Sequence, residues 1–273
     1  MAMSVESLLL LPALGCYAGA GASAWVGMGP RGPALARATA LLLAAGLILH
    51  TASLALRWQA MGHGPFTTMY EILSSNVWSL TLVFAIVWAR VREARAAALI
   101  VLPVILLLAA WLLAADAAPG HFPPTYFTVL LYVHALLGKV YLGLLLVAVG
   151  VSALVWLRRS RWGARRLAAL PPDAALDELA YRFAAFAFVF DTLMLTAGAV
   201  WAQDAWGRYW AWDPLETWAF LSWLALASAL HARASLRVSA RAHALLLAAA
   251  FALAFLTFFG VPFVSTSPHK GAV

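Results

Sequence analysis

The stretch WAQDAWGRYWAWDPLETW, Trp201 to Trp218, holds five of the thirteen tryptophans of this chain, together with Asp204, Arg208, Asp213 and Glu216. Long apolar runs flank it on both sides. A charged, indole-rich segment between two such runs reads as a connection held at a membrane surface, and that reading sets the fold class. Its simplest source is an interfacial aromatic belt, because Trp and Tyr settle at the headgroup level of a bilayer. Belts, however, are spread over many helix ends, whereas here the indoles crowd into one segment. Asp213-Pro214-Leu215-Glu216 also has the form of a helix start, with Asp213 at the N-cap, Pro214 in the first turn and Glu216 placed to reach back to the cap. If the segment before it is helical, Trp206 and Trp210 share a face. With Arg208 and Tyr209 they would form a shelf for a flat, apolar ligand with acidic edges, and haem is such a ligand.

Outward from this segment the same pattern repeats. The chain has 273 residues, 64% hydrophobic and 11% charged, a composition that belongs to a polytopic membrane protein. A span needs about 20 apolar residues, and eight runs qualify: Ser7–Met28, Ala34–Trp58, Ile72–Val91, Ala96–Ala118, Phe127–Leu157, Leu179–Trp201, Pro214–Ala234 and Ala240–Val264. The expected fold is therefore all-α, about eight transmembrane helices in a single domain, 1–273. The fifth run is long enough to tilt or project, and Pro103 in the fourth is tolerable as a kink. The N-terminus lacks a basic leader and a small-residue cleavage site, so it reads as the first span.

Arginine placement orients the chain. The connections after the odd-numbered spans carry Arg31, Arg37, Arg90, Arg92, Arg95, Arg158, Arg159, Arg161, Arg165, Arg166, Arg233, Arg237 and Arg241, against little beyond Arg57, Arg208 and Lys270 on the other side. The positive-inside rule makes the first group cytoplasmic and puts both termini and the tryptophan segment outside. The net charge of +7 is thereby explained by topology, without nucleic acid. The lone Cys16 excludes an internal disulfide and CxxC chemistry within this chain. In Gly62–Glu71, Thr68 and Glu71 have capping-box spacing before the third span.

WGRYWAWDPLETW resembles the tryptophan-rich "WWD" signature of the haem-handling membrane proteins that build c-type cytochromes. Its DPLETW ending is more similar to the CcsA (ResC) branch than to CcmC, and the Gly62–Glu71 segment is similar to an outward "P-x-T-N-L-Y-E" segment of that family, with Thr68 in place of Asn. The resemblance implies a multi-pass protein of the cytoplasmic (inner) membrane with its WWD segment, 201–218, on the periplasmic side. It also implies haem b as the cofactor and work as a component of a holocytochrome c synthetase (haem lyase). The implied partners are a CcsB/ResB membrane subunit, the Cys-x-x-Cys-His segment of apocytochrome c and a thioredoxin-like reductant. Two alternatives stand beside it: a haem chaperone or exporter of CcmC type, and a membrane transporter or scaffold without haem whose tryptophans only anchor it.

Topology sorts the seven histidines. His134 lies about two turns into the fifth span from its outer end, and His269 lies in the outward tail. Neutral imidazole is a usual axial ligand of haem iron, and ionisable groups inside a membrane are functional suspects. The bland readings are a hydrogen-bonded interface residue for His134 and a plain tail residue for His269. The resemblance implies that both are haem ligands flanking the motif, although Ser267-Pro268-His269-Lys270 departs from the family's "G-L-H-S-Y" segment. It further implies that His231, near the inner end of the seventh span, binds haem in transit. A second imidazole there would come from the partner subunit, with His243 a competing partner within the chain. His231 also reads as a snorkelling interface residue. His50, His63 and His121 lean outward without an assigned role, and Lys139 needs a cavity or an acid, a haem propionate being one. The expected haem-binding set is His134, His269, His231, Trp201, Trp206, Arg208, Tyr209, Trp210, Trp212, Asp213 and Trp218, with the three histidines as iron ligands.

Overall fold

A computed structural model of the protein describes residues 5–28, 32–120, 123–126 and 128–264. Among the described residues there are helices and no strand. The helices are α1 (Val5–Val26), α2 (Gly32–Met61), α3 (Met69–Arg90), α4 (Ala98–Ala114), α5 (Val129–Leu157), α6 (Arg161–Arg166), α7 (Asp173–Trp206), α8 (Pro214–Ala234), α9 (Ala240–Phe259) and α10 (Val261–Val264). Seven of the ten are long and apolar enough to cross a membrane: α1 to α5, α7 and α9. The expected count of about eight included α8, which is 21 residues long but less apolar than the others. Glu216, Ser222, Ser228, His231 and Arg233 dilute its leucines. Leu41, Ile48 and Leu107 are each 71% exposed, which suits helix faces turned to lipid rather than water.

The chain packs as two compact units, Met1–Pro119 with Trp156–Pro171, and Gly120–Val155 with Pro172–Val273. In the first unit α1 packs on α2, α2 on α3, α3 on α4, and α4 returns to α1. Tyr17, Leu43, Phe84, Leu102 and Ile105 fill its interior. One end of this unit is tied by a polar network. Arg57 donates from Nε to Glu71 Oε1 at 2.9 Å and from Nη1 to the Ala117 carbonyl at 3.1 Å, and it lies 3.6 Å from Glu6 Oε2. Glu71 accepts from the Thr67 amide and hydroxyl, and Tyr70 donates to Glu6. The capping box at Thr68 is thus half formed. Thr68 accepts from the Glu71 amide, while the Glu71 carboxylate turns to Thr67 and to Arg57. His50, fully buried, is placed between Tyr17 and Ser74 at 3.3 and 3.0 Å.

In the second unit α7, α8 and α9 pack against one another and α10 rests on α8 and α9. α9 stops at Gly260 because Pro262 has no amide with which to continue its ladder; Pro262 sits instead in the first turn of α10, where that amide is not needed. α7 has 34 residues, roughly 50 Å, well beyond the 30 Å or so of hydrocarbon. The helix starts at Asp173, so the polar segment before Leu179 is helical too, and Trp201 to Trp206 form its far end.

Candidate functional site

The site begins where α7 ends. Gly207 takes a left-handed φ of 73° and its amide bonds to Gln203 O, a glycine C-cap that turns the chain off the helix axis. Trp206 is therefore the last helical residue, and the expected shared face of Trp206 and Trp210 does not form. Within the 201–218 segment, residues 207–213 lie outside helices. Asp213 then caps α8 as expected. Its carboxylate accepts from the Glu216 amide at 2.9 Å, and Glu216 Oε2 accepts in return from Asp213 N and, at 2.7 Å, from Ala211 N.

This cap clamps an unusual residue. Trp212 has a φ of 59°, a region costly for a side chain with a Cβ, of order 1–3 kcal/mol. The clamp on Ala211 and Asp213 holds it there, and the indole is left 65% exposed. Tyr209 and Arg208 are exposed as well, and Trp206, Trp210 and Trp218 are half-buried. Trp210 meets Trp212 edge-on at 5.6 Å, both meet Phe220, and Phe220 stacks on Trp223. Trp210 Nε1 is buried with no hydrogen-bond partner among the described residues.

A second aromatic group surrounds His134. Trp201 is buried and donates its indole N–H to Thr125 O at 3.2 Å. Around it stand Tyr126 (edge-on, 5.3 Å), Trp206 (5.1 Å) and the His134 imidazole (near-parallel, 6.1 Å). Burial pushes the Tyr126 phenol up to about 12, so it stays protonated. His134 Nδ1 lies 2.9 Å from the Met194 carbonyl. A carbonyl only accepts, so Nδ1 is the donor and Nε2 of the neutral ring keeps the lone pair. That is the tautomer a metal ligand needs, oriented by its outer hydrogen bond. α7 gives the ring room at Gly198, where a Cβ would come within 2.8 Å of Nδ1.

His269 lies outside the described residues. His231 is exposed on the last turn of α8, with Nδ1 3.3 Å from Ser235 Oγ. His243 is fully buried, and its Nδ1 lies 2.6 Å from Asp177 Oδ1. The other oxygen of Asp177 accepts from Arg233, which also pairs with Glu178 and lies over the Tyr181 ring. His243 Nε2 has no partner among the described residues. Sequence reasoning missed Asp177, Glu178, Arg57 and Glu71 as pairing groups. Their one visible signal was charge inside or beside apolar runs. Among the described residues there is no cluster of three metal-ligating side chains. A haem site does not require one, since one or two axial ligands from the protein suffice.

The strained Trp212 gives a sharp test. Trp212→Gly removes the left-handed strain, so the thermal midpoint of the purified protein is expected to hold or rise by a few degrees, as a glycine costs little at positive φ. Retention of added haem is expected to fall. A lowered midpoint together with unchanged haem retention would show the indole to be structural packing.

Residues 66–269 match the family model described as "Cytochrome C assembly protein". The chain is 32% identical over 259 residues to the cytochrome c biogenesis protein CcsA of Synechococcus sp. (strain CC9902), covering 84% of this chain and 85% of that protein. It is 30% identical over 250 residues to CcsA of Prochlorococcus marinus (strain MIT 9301), covering 82% and 81%. Among solved structures it superposes on the cytochrome c haem lyase CcmF with a TM-score of 0.71 at 18% identity, over 100% of this chain and 49% of that one. The chain thus spans about half the length of CcmF, and at that identity the likeness is one of fold.

Proposed function

The chain belongs to the cytochrome c assembly protein family, and we infer that it handles haem for cytochrome c maturation, as a multi-pass membrane protein. The finer reading is a CcsA-type subunit that presents haem b on the tryptophan segment, outside the cytoplasmic membrane, between His134 and His269. Apocytochrome c is the acceptor, a CcsB/ResB-type subunit the partner, and a thioredoxin-like protein the reductant. Attachment joins the two thiols of a Cys-x-x-Cys-His segment to the haem vinyl groups. That chemistry asks little acid–base work of this chain, and its part is placement. Holding the reacting groups together turns an encounter into a local reaction.

The observation that carries this reading is the His134 ring, pinned through Nδ1 to the Met194 carbonyl and lying near-parallel to Trp201. Trp201 and Trp206 offer an apolar wall beside it. Trp212, Tyr209 and Arg208 offer exposed aromatic and cationic surface, and Trp210 and Trp218 further, half-buried indole surface. Asp213 serves by holding the strained turn in place. On the inner side His231 is accessible for haem in transit. His243 competes, because Asp177 holds its Nδ1 as an outer-shell carboxylate holds a metal-bound imidazole.

Visible absorption spectra of the protein purified with haem test the outer pair. The native chain is expected to give the bands of iron held by two imidazoles, and His134→Ala and His269→Ala each to weaken and shift them. Unchanged bands in the double variant would remove both residues as ligands.

A further inference from the structure

The first unit holds a cavity of about 680 Å³, where the end of α1 meets the start of α2 and the end of α3. Its described walls carry three guanidinium groups, Arg37, Arg92 and Arg95, and no carboxylate. Small apolar residues of α1 and α2 line the remainder with the Trp88 indole. Arg95 is fixed by its Nε–H bond to the Trp88 carbonyl at 2.9 Å and lies over the indole ring at 5.6 Å. A hydroxyl pair, Ser23 and Thr39 at 2.7 Å, faces the same space. None of these residues has a part in the haem site described above.

We propose that this cavity binds the phosphate of an anionic membrane phospholipid, with the start of its acyl chain lying along the small-residue wall. Three like charges around one space repel one another unless an anion is present, and several guanidiniums suit the several oxygens of a phosphate. The volume lies within the range of small-molecule sites. Depth in the membrane is marked independently. Trp25, in the last turn of α1 and 54% exposed, stacks on Trp162 of α6 at 4.9 Å. A partly exposed indole pair at a helix end belongs at the headgroup level. Gly27, two residues further along, lines the cavity. The arginine-rich end is the cytoplasmic one by the positive-inside rule, and basic pockets between helices on that side suit acidic headgroups. A porphyrin is the weaker occupant, because no histidine or cysteine lines the described walls.

The test uses the full chain in detergent, equilibrated with phosphatidylglycerol, with zwitterionic phosphatidylethanolamine or with inorganic phosphate, and read by native mass spectrometry. Phosphatidylglycerol is expected to be retained at least fivefold over phosphatidylethanolamine. Arg37→Gln with Arg92→Gln is expected to lower that retention about fivefold per arginine removed. Both side chains are exposed, so the thermal midpoint of this double variant should match the native one. Arg95→Gln is a harsher probe, since it also releases Trp88. Equal retention of the two lipids, or undiminished retention by the double variant, would overturn the proposal. Displacement of the lipid by millimolar phosphate would assign the site to the free anion instead, and displacement by haemin would assign it to a tetrapyrrole; either also overturns it.

Discussion

Arg57→Ala is expected to destabilise the first unit by about 3–5 kcal/mol, the usual cost of removing one partner from a buried ion pair. Glu71 is 1% exposed and Arg57 4%, so the carboxylate left behind has no route to water. It would keep its bonds from Thr67 but lose the cation paired with it, and Glu6 would lose the same one. Desolvation of an unpaired charge outweighs the loss of one hydrogen bond, so the effect should exceed that of Thr67→Ala, for which about 1 kcal/mol is ordinary. Arg57→Met combined with Glu71→Leu should recover part of the loss, since the buried Glu71 charge goes with its cation, while Glu6 still loses Arg57 and Thr67 loses its acceptor. The measurement is the thermal or denaturant midpoint of each variant in one detergent. A double variant as unstable as Arg57→Ala alone would mean that the pair is not the element holding these helix ends.

Gly198→Ala is expected to lower haem retention about tenfold or more while leaving the fold nearly as stable. Alanine inside α7 gains up to about 1 kcal/mol of helix propensity over glycine. Its Cβ, however, would sit 2.8 Å from His134 Nδ1 and 2.9 Å from Cε1. The ring cannot yield as a flexible chain end does, because Nδ1 is bonded to Met194 O. It must turn or withdraw, and losing the group that orients a metal-binding histidine typically costs 10–100-fold in affinity. Gly15→Ala is the matched control, a helical glycine with nothing within 4 Å of its would-be Cβ. In a His134→Ala background Gly198→Ala should add almost nothing, as expected of two residues acting through one contact. Full additivity would show that Gly198 matters for another reason.

What could be read from the residues alone follows the range of the forces involved. Membrane spans announce themselves by length and apolarity within one segment, so the helices of the apolar runs could be placed, with ends that shift by up to about a turn and a half, as at Asp173. The Asp213–Glu216 cap spans four residues and forms as its spacing requires. Thr68–Glu71 has the same spacing yet forms only half the box, because Arg57, 14 residues away, draws the carboxylate off. The left-handed cap at Gly207 separates Trp206 from Trp210, although periodicity would have joined them.

The tertiary structure alone decided which charges meet. Asp177 finds His243 66 positions along the chain and Arg233 56, and His134 finds the Met194 carbonyl 60 away. Composition and local pattern determine that a segment leaves water and where its helix begins. A buried polar group, by contrast, must be satisfied by whichever donor or acceptor packing brings within about 3 Å, and no local pattern carries that information.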